Sequence, residues 1–161
     1  MTAQEYNQCV DHHADGVYRF ILKNLRDEDT AQDIVQDTFE KMWMRHSDID
    51  AEKAKSYLFT TAYHTLVDHT RRSKKMSGTD ELKLKTYSVE NTYSDLREVL
   101  DDALERLPEI QRSVIMLRDY EGYSYEEIGQ ITGLNESQVK VYIFRARMSL
   151  KQYIGKLENV I

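Results

Sequence analysis

Apolar residues in this chain recur mainly at spacings of three and four, the signature of helices that bury one face. Tyr6, Val10, Val17, Phe20, Ile21 and Leu25 predict a helix over about residues 4–25. The polar run Arg26-Asp27-Glu28-Asp29 interrupts the pattern, and Asp29 or Thr30 can cap the next helix. Ile34, Val35, Thr38, Phe39, Met42 and Trp43 predict that second helix over about 30–46. After Ser47-Asp48-Ile49-Asp50, a third helix over about 51–72 carries Leu58, Ala62, Thr65 and Leu66 on one side. It ends in Arg71-Arg72, where cations suit a helix C-terminus. Residues 73–94 lose the strong period and are rich in Ser, Thr, Lys and Asn, so they read as a linker.

The period returns near Asp95 with Leu96, Val99, Leu100, Ala103, Leu104 and Leu107, and Pro108 forces a stop and restart. Val114, Ile115 and Leu117 form the apolar part of the next helix, and Asp119 to Tyr123 reads as a turn. Ser124-Tyr125-Glu126-Glu127 has the form of a capping box. Gly133 can take the positive φ of a helix stop, with Leu134 filling the corner. Asn135-Glu136-Ser137-Gln138 then caps a last helix. A short helix, a glycine turn and a longer capped helix make a helix-turn-helix. On the last helix Val139, Tyr142, Ile143, Ala146 and Leu150 face a core. Ser137, Val141, Arg145, Met148 and Gln152 face away, and Lys140, Phe144, Arg147 and Lys151 form a stripe between. Arg can grip a guanine edge, Val or Phe can meet thymine methyls, and flanking Lys and Arg neutralise phosphates. The same pattern fits a solvated basic face, and the two caps around one glycine corner weigh against that plainer reading.

Composition narrows the class. The 161 residues are 40% hydrophobic and 31% charged, too apolar for a disordered chain and too charged for a membrane protein. No apolar run approaches a bilayer span, and no secretory signal is expected from the N-terminus. One cysteine excludes an internal disulfide and a Cys-rich zinc site, so a reducing cytoplasm is the expected compartment. Six Gly and one Pro leave little room for tight β-turns and favour an all-α fold. The net charge of −6 hides a pattern: residues 51–75 carry +4 and 136–161 carry +3, while 1–50 carry −6 and 96–135 carry −5. Two short basic segments are thus mounted on an acidic protein, an arrangement that lets the cations track phosphates.

Two further helices invite a functional reading. Asp33, Gln36, Asp37 and Glu40 recur at helical spacing beside Phe39 and Trp43, which suits a protein interface. It also suits a core stripe with solvated acids. The third helix interleaves Tyr57, Phe59, Thr60, Thr61, Tyr63 and His64 and ends in His69, Arg71 and Arg72. Aromatics that stack on unpaired bases, next to cations that hold the backbone, fit single-stranded DNA, and a Tyr-rich core helix remains the alternative. No catalytic triad spacing, nucleotide-binding glycine loop or HExxH motif is present, and adjacent His12 and His13 make a poor metal pair. Neither catalytic residues, a metal nor a cofactor is expected.

These motifs together resemble an alternative RNA polymerase sigma factor of the sigma-70 family, extracytoplasmic-function type. DEDTAQDIVQDTFEKMW is similar to region 2.2, KSYLFTTAYHTLVDHTRR to regions 2.3–2.4, and the span from Leu104 to Tyr153 to region 4. The resemblance implies two small helical domains: a region 2 bundle over 1–72 and a region 4 helix-turn-helix over 95–161, joined by a flexible linker over 73–94. It implies binding to core RNA polymerase through the β′ coiled coil and β flap, with Asp33, Gln36, Asp37, Phe39 and Trp43 on the β′ coiled coil. Tyr57, Tyr63, His64, Arg71 and Arg72 would engage and help melt the −10 element. Gln138, Lys140, Val141, Phe144 and Arg145 would meet the −35 element of promoter DNA, with Arg147 and Lys151 on phosphates. An anti-sigma factor is a further implied partner, with no direct membrane insertion. His64 stands where the family commonly has Asn, and Val141-Tyr142 where it often has Ser-Arg. A LuxR-type helix-turn-helix regulator is the competing reading, and it leaves the helices at 30–46 and 51–72 unexplained.

Overall fold

The structure, a computed structural model, describes the backbone of residues 1–77 and 94–158 and the side chains of 1–73 and 97–156. All regular structure among these residues is helical. Helix α1 spans Ala3–Leu25 and starts in a capping box. There the Glu5 amide donates to Thr2 Oγ1 at 3.1 Å, and the Thr2 amide donates to the Glu5 carboxylate at 3.0 Å. Helix α2 spans Glu28–Met44, two residues earlier than its apolar series suggests. Its cap position falls on Asp27, which accepts a hydrogen bond from the Thr30 hydroxyl at 2.8 Å. Two short 3₁₀ turns, His46–Asp48 and Ala51–Lys53, lead into α3, Ala54–Ser77. Helix α3 therefore runs past Arg72 into the first residues of the expected linker. Nothing in Ser73-Lys74-Lys75-Met76 breaks a helix, and a loss of apolar period marks the end of burial rather than of helix. The remainder of that linker, 78–93, lies outside the described residues.

The second half contains α4 (Ser94–Glu105), α5 (Glu109–Ile115), α6 (Tyr125–Thr132) and α7 (Glu136–Glu158). Pro108 caps α5, as its fixed φ allows. Where a turn is expected after Leu117, α5 instead widens into a π-helical turn over Met116–Tyr120. The chain leaves that turn through Gly122 at φ 74°.

Helices α1, α2 and α3 pack on one another, and α4, α5 and α6 pack on α7. The halves then join: α3 lies against α6, and α1 against α4 and α5. One apolar cluster runs through both, from Val17, Phe20 and Ile21 to Ile128, Val139 and Ile143. Leu58, Ala62, Thr65 and Leu66 are buried, as the spacing of α3 predicts.

Candidate nucleic-acid and partner interfaces

The helix-turn-helix is built by two reciprocal caps. The Glu127 amide donates to Ser124 Oγ at 3.1 Å, and the Ser124 amide donates to the Glu127 carboxylate at 3.0 Å. Those bonds to Ser124 hold the Glu127 carboxyl below its ordinary pKa. At the start of α7 the Gln138 amide donates to Asn135 Oδ1 at 2.8 Å, and the Asn135 amide donates to Gln138 Oε1 at 3.0 Å. Between them Gly133 takes φ 80°. The turn itself requires Gly129: a Cβ there would stand 2.7 Å from the Leu134 carbonyl oxygen.

This frame fixes the rotation of α7. Val139, Ile143 and Ala146 are buried, whereas Val141 is 45%, Phe144 66% and Met148 42% exposed. Such exposure of large apolar groups on one helix, between the exposed cations Lys140, Arg145 and Lys151, is the composition of a base-edge reader. Three of the expected contacts are also engaged within the chain, Lys140 by an ion pair with Glu136 at 3.5 Å one turn earlier. Gln138 spends its side-chain oxygen on the cap. Arg147 donates to Asp119 at 2.8 Å, which pins α7 to the π turn and raises the guanidinium pKa.

On α3, Tyr57, His64 and Arg71 recur every seven residues and form one stripe. Tyr57 is half-buried, and His64, Arg71 and Arg72 are exposed. Thr60 and Thr61 point their hydroxyls back to the Ser56 and Tyr57 carbonyls at 2.7 and 2.9 Å. Tyr63 belongs instead to the row Lys55-Phe59-Tyr63, which is turned toward the second half. Burial, then the charge of Glu109, raises its pKa.

The expected partner surface on α2 divides. Asp33, Gln36, Asp37 and Glu40 are exposed, and Asp37 pairs with Lys41 at 3.3 Å. Phe39 is only 9% exposed and belongs to the core. Trp43 is 44% exposed and stacks on His46, with centroids 4.1 Å apart and planes 7° apart, and Tyr6 tilts against it at 4.9 Å. A cleft between α2 and α3 brings Asp33 and Asp37 beside Asp68, His69 and Arg72, so acidic and basic candidates share one face. Three described acids or ligating side chains nowhere converge as a metal site. No described helix is long and apolar enough to cross a membrane.

Sequence reasoning missed Asn24 and Tyr123. Asn24 sits at a polar position of α1 and Tyr123 in a presumed turn, yet they are 9% and 3% exposed. Asn24 Oδ1 accepts from Arg112 Nε at 3.1 Å and from the Ser113 hydroxyl at 3.3 Å. Tyr123 lies edge-on to Phe59 with centroids 5.5 Å apart, under the Lys55 ammonium. Burial first, and nearby Glu121 second, push its hydroxyl well above the usual tyrosine range.

Comparison with known proteins gives a consistent picture. The family model "Sigma-70 region 2" matches residues 9–76, and "Sigma-70, region 4" matches 97–150. A helix-turn-helix regulator alone would account for the second match and not for the first. The ECF RNA polymerase sigma factor SigM of Bacillus subtilis is 30% identical over 164 residues, covering 99% of each chain. SigV of the same organism, an RNA polymerase sigma factor, is 31% identical over 151 residues, covering 92% of this chain and 90% of its own. The sigma factor RpoE of Bartonella quintana, solved with the anti-sigma factor NepR, superposes with a TM-score of 0.81 at 23% identity, covering 95% and 98% of the two chains. CnrH, solved with the cytosolic domain of CnrY, gives 0.72 at 23% identity, covering 96% and 90%.

Proposed function

The chain belongs to the sigma-70 family of RNA polymerase sigma factors, in the ECF group, and on that premise we propose how its surfaces divide the work of promoter-specific initiation. The chain acts as an alternative sigma factor: it binds core polymerase, recognises −10 and −35 elements and aids melting. Bond-making in RNA belongs to the polymerase. The observation that carries this division is the exposed row of Val141, Phe144 and Arg145 on a doubly capped helix, on a different helix from the exposed acids of α2.

Asp33, Gln36 and Asp37 meet a basic polymerase surface on the β′ coiled coil, with Trp43 supplying area at the edge and Phe39 fixing α2 from inside. The −10 strand lies along Tyr57, His64, Arg71 and Arg72, and Tyr63 joins them only when the second half moves away. Lys140, Val141, Phe144 and Arg145 enter the major groove at −35. Lys151 holds a phosphate, as does Arg147 once it exchanges Asp119 for DNA. Gln138 serves as the cap that aims the helix. An anti-sigma factor fits the same reading, because RpoE of Bartonella quintana, which shares this fold, was solved with one.

The test is run-off transcription with core polymerase and promoters drawn from a random library. Discrete start sites with shared upstream sequences are expected, and their absence rejects the reading. Asp37→Arg should weaken core binding at least tenfold, because it places a cation against a basic partner. Equal affinities in a fluorescence titration would remove Asp37 from the interface.

A further inference from the structure

Five large apolar side chains stand exposed among the described residues, and three of them, Val141, Phe144 and Met148, lie on α7. At 3.6 residues per turn they fall within about 60° of one another and form a ridge along the helix. Val139, Ile143 and Ala146 bury the opposite side, so the ridge is presented outward by a helix that cannot roll. Cations flank it on both sides: Lys140, Arg147 and Lys151 follow one edge and Arg145 the other. From Ser137 to Gln152 the sequence holds those four cations and no acid. The acid just before that span, Glu136, is turned past Lys140 and pairs with it.

Large apolar groups gathered on one face are costly to leave in water, so the ridge calls for an occupant. A second copy would set the same cations against one another, and like charges across an interface oppose association. A polyanion that carries an apolar mark satisfies both features. The major groove of DNA is one: phosphates line its rims, and the C5 methyl of thymine stands on its floor. The side chains of Val141 and Phe144 hold no donor or acceptor. The hydrogen-bond code of the base edges is therefore closed to them, and the methyl is the mark they can distinguish. They are three residues apart, a rise of about 4.5 Å, which fits neighbouring base pairs about 3.4 Å apart. Met148 lies about 6 Å further on, in the fourth turn, where a straight helix leaves the floor that its N-terminal turns occupy.

We infer that Val141 and Phe144 read the C5 methyls of two adjacent thymines in the −35 element, an apolar contact that works beside the hydrogen bonds of Arg145. This rests on the proposed sigma function and names what one of its surfaces recognises. It belongs to this chain rather than to the family at large, because the family often has Ser where Val141 stands. A hydroxyl exchanges hydrogen bonds with any base edge. An isopropyl or phenyl group set against cytosine would leave the amino group without a partner, so the ridge rejects as well as attracts.

The test uses holoenzyme, core polymerase with the full chain, on a promoter found by run-off transcription. Templates are synthesised with each −35 thymine replaced in turn by deoxyuridine, which removes the methyl and keeps every hydrogen-bonding group. Initiation at subsaturating holoenzyme should fall about fourfold at each of two adjacent positions, the value of one buried methyl. Bromouracil, whose bromine at C5 fills the place of the methyl, should restore it. Val141→Ala should erase the loss at one of the two positions, and Phe144→Ala at the other. Both side chains are exposed, so truncation spares the core. A merely weakened helix would lower thymine and uracil templates alike and keep their ratio. Equal initiation from thymine and uracil templates, a −35 element without two adjacent A·T pairs, or an unchanged ratio in both variants would overturn the inference. So would a wild-type dimer in sedimentation that Phe144→Ala dissociates, which would give the ridge to a second copy. No initiation from any unmodified promoter rejects the sigma function itself, whereas equal initiation with and without the methyls rejects the methyl reading alone.

Discussion

Arg145 on the outward face of α7 and Lys151 on the stripe beside it are both exposed, and they answer to different parts of DNA. A guanidinium at a base edge reads sequence, and an ammonium at a phosphate reads only charge. Arg145→Ala should relax base preference at one −35 position, by about 1–3 kcal/mol of discrimination. Lys151→Ala should weaken all sequences alike and lower the salt slope by about one. Selection of −35 sequences from a random library by each holoenzyme checks this, and matching profiles would contradict it. His13 offers a second test at this scale. Burial, and then the positive charge of Lys55, hold its imidazole below the ordinary histidine pKa. The unfolded chain therefore takes up this proton first as pH falls. Its contribution to stability is present above about pH 6.5 and fades below it. Urea midpoints between pH 7.5 and 5.5 should fall less in His13→Gln than in wild type. Which residues point outward was legible at this scale from spacing alone. What a side chain bonds to was not: Gln138 and Arg147 lie on the DNA side by periodicity, yet one caps a helix and the other holds Asp119.

Elements were the most legible scale, because caps and breakers act over three or four residues. Ser124 with Glu127, and Asn135 with Gln138, satisfy the otherwise unpaired amides of α6 and α7. Gly133 takes the φ that a residue with a Cβ adopts only at a cost. Ser124→Ala should cost about 1 kcal/mol and lower the melting temperature by roughly 2–4 °C. Calorimetry measures the loss, and an unchanged midpoint would show that the cap carries no weight. The misreadings share a cause. Helix α3 continues to Ser77 because hydrogen bonding outlasts burial, and periodicity reports only burial. The π turn at Met116–Tyr120 breaks the expected register by one residue, and no local residue type announces it. Phe39 and Trp43, four residues apart, look equivalent on a helical wheel, but α2 ends at Met44 and leaves Trp43 at the rim.

At the scale of the molecule, the two halves share a core that neither would complete alone. Phe59 of α3 is 1% exposed partly because Tyr123 covers it. Tyr123→Ala should therefore cost about 3 kcal/mol or more and make the halves unfold at different urea concentrations. Tyr123→Phe should cost less, since its hydroxyl reaches the Lys55 carbonyl only at 3.4 Å. Fluorescence of Trp43 against far-ultraviolet dichroism distinguishes one transition from two, and coincident curves for Tyr123→Ala would sink the idea of a shared core. The sequence by itself determined that the chain is all-α, where its caps and breaks fall, which helices are cationic, and the family resemblance, because those properties depend on residue types within a few turns of one another. Only the tertiary structure decided that Asn24 and Tyr123 are buried, that Arg26 bends back to meet Asp102, and that Asp101 and Glu121 meet Lys23 and Arg19 of α1. These are pairings between residues some 70 to 100 positions apart, such as Arg19 and Glu121, and hydrophobic periodicity within a helix says which side is covered without saying by what.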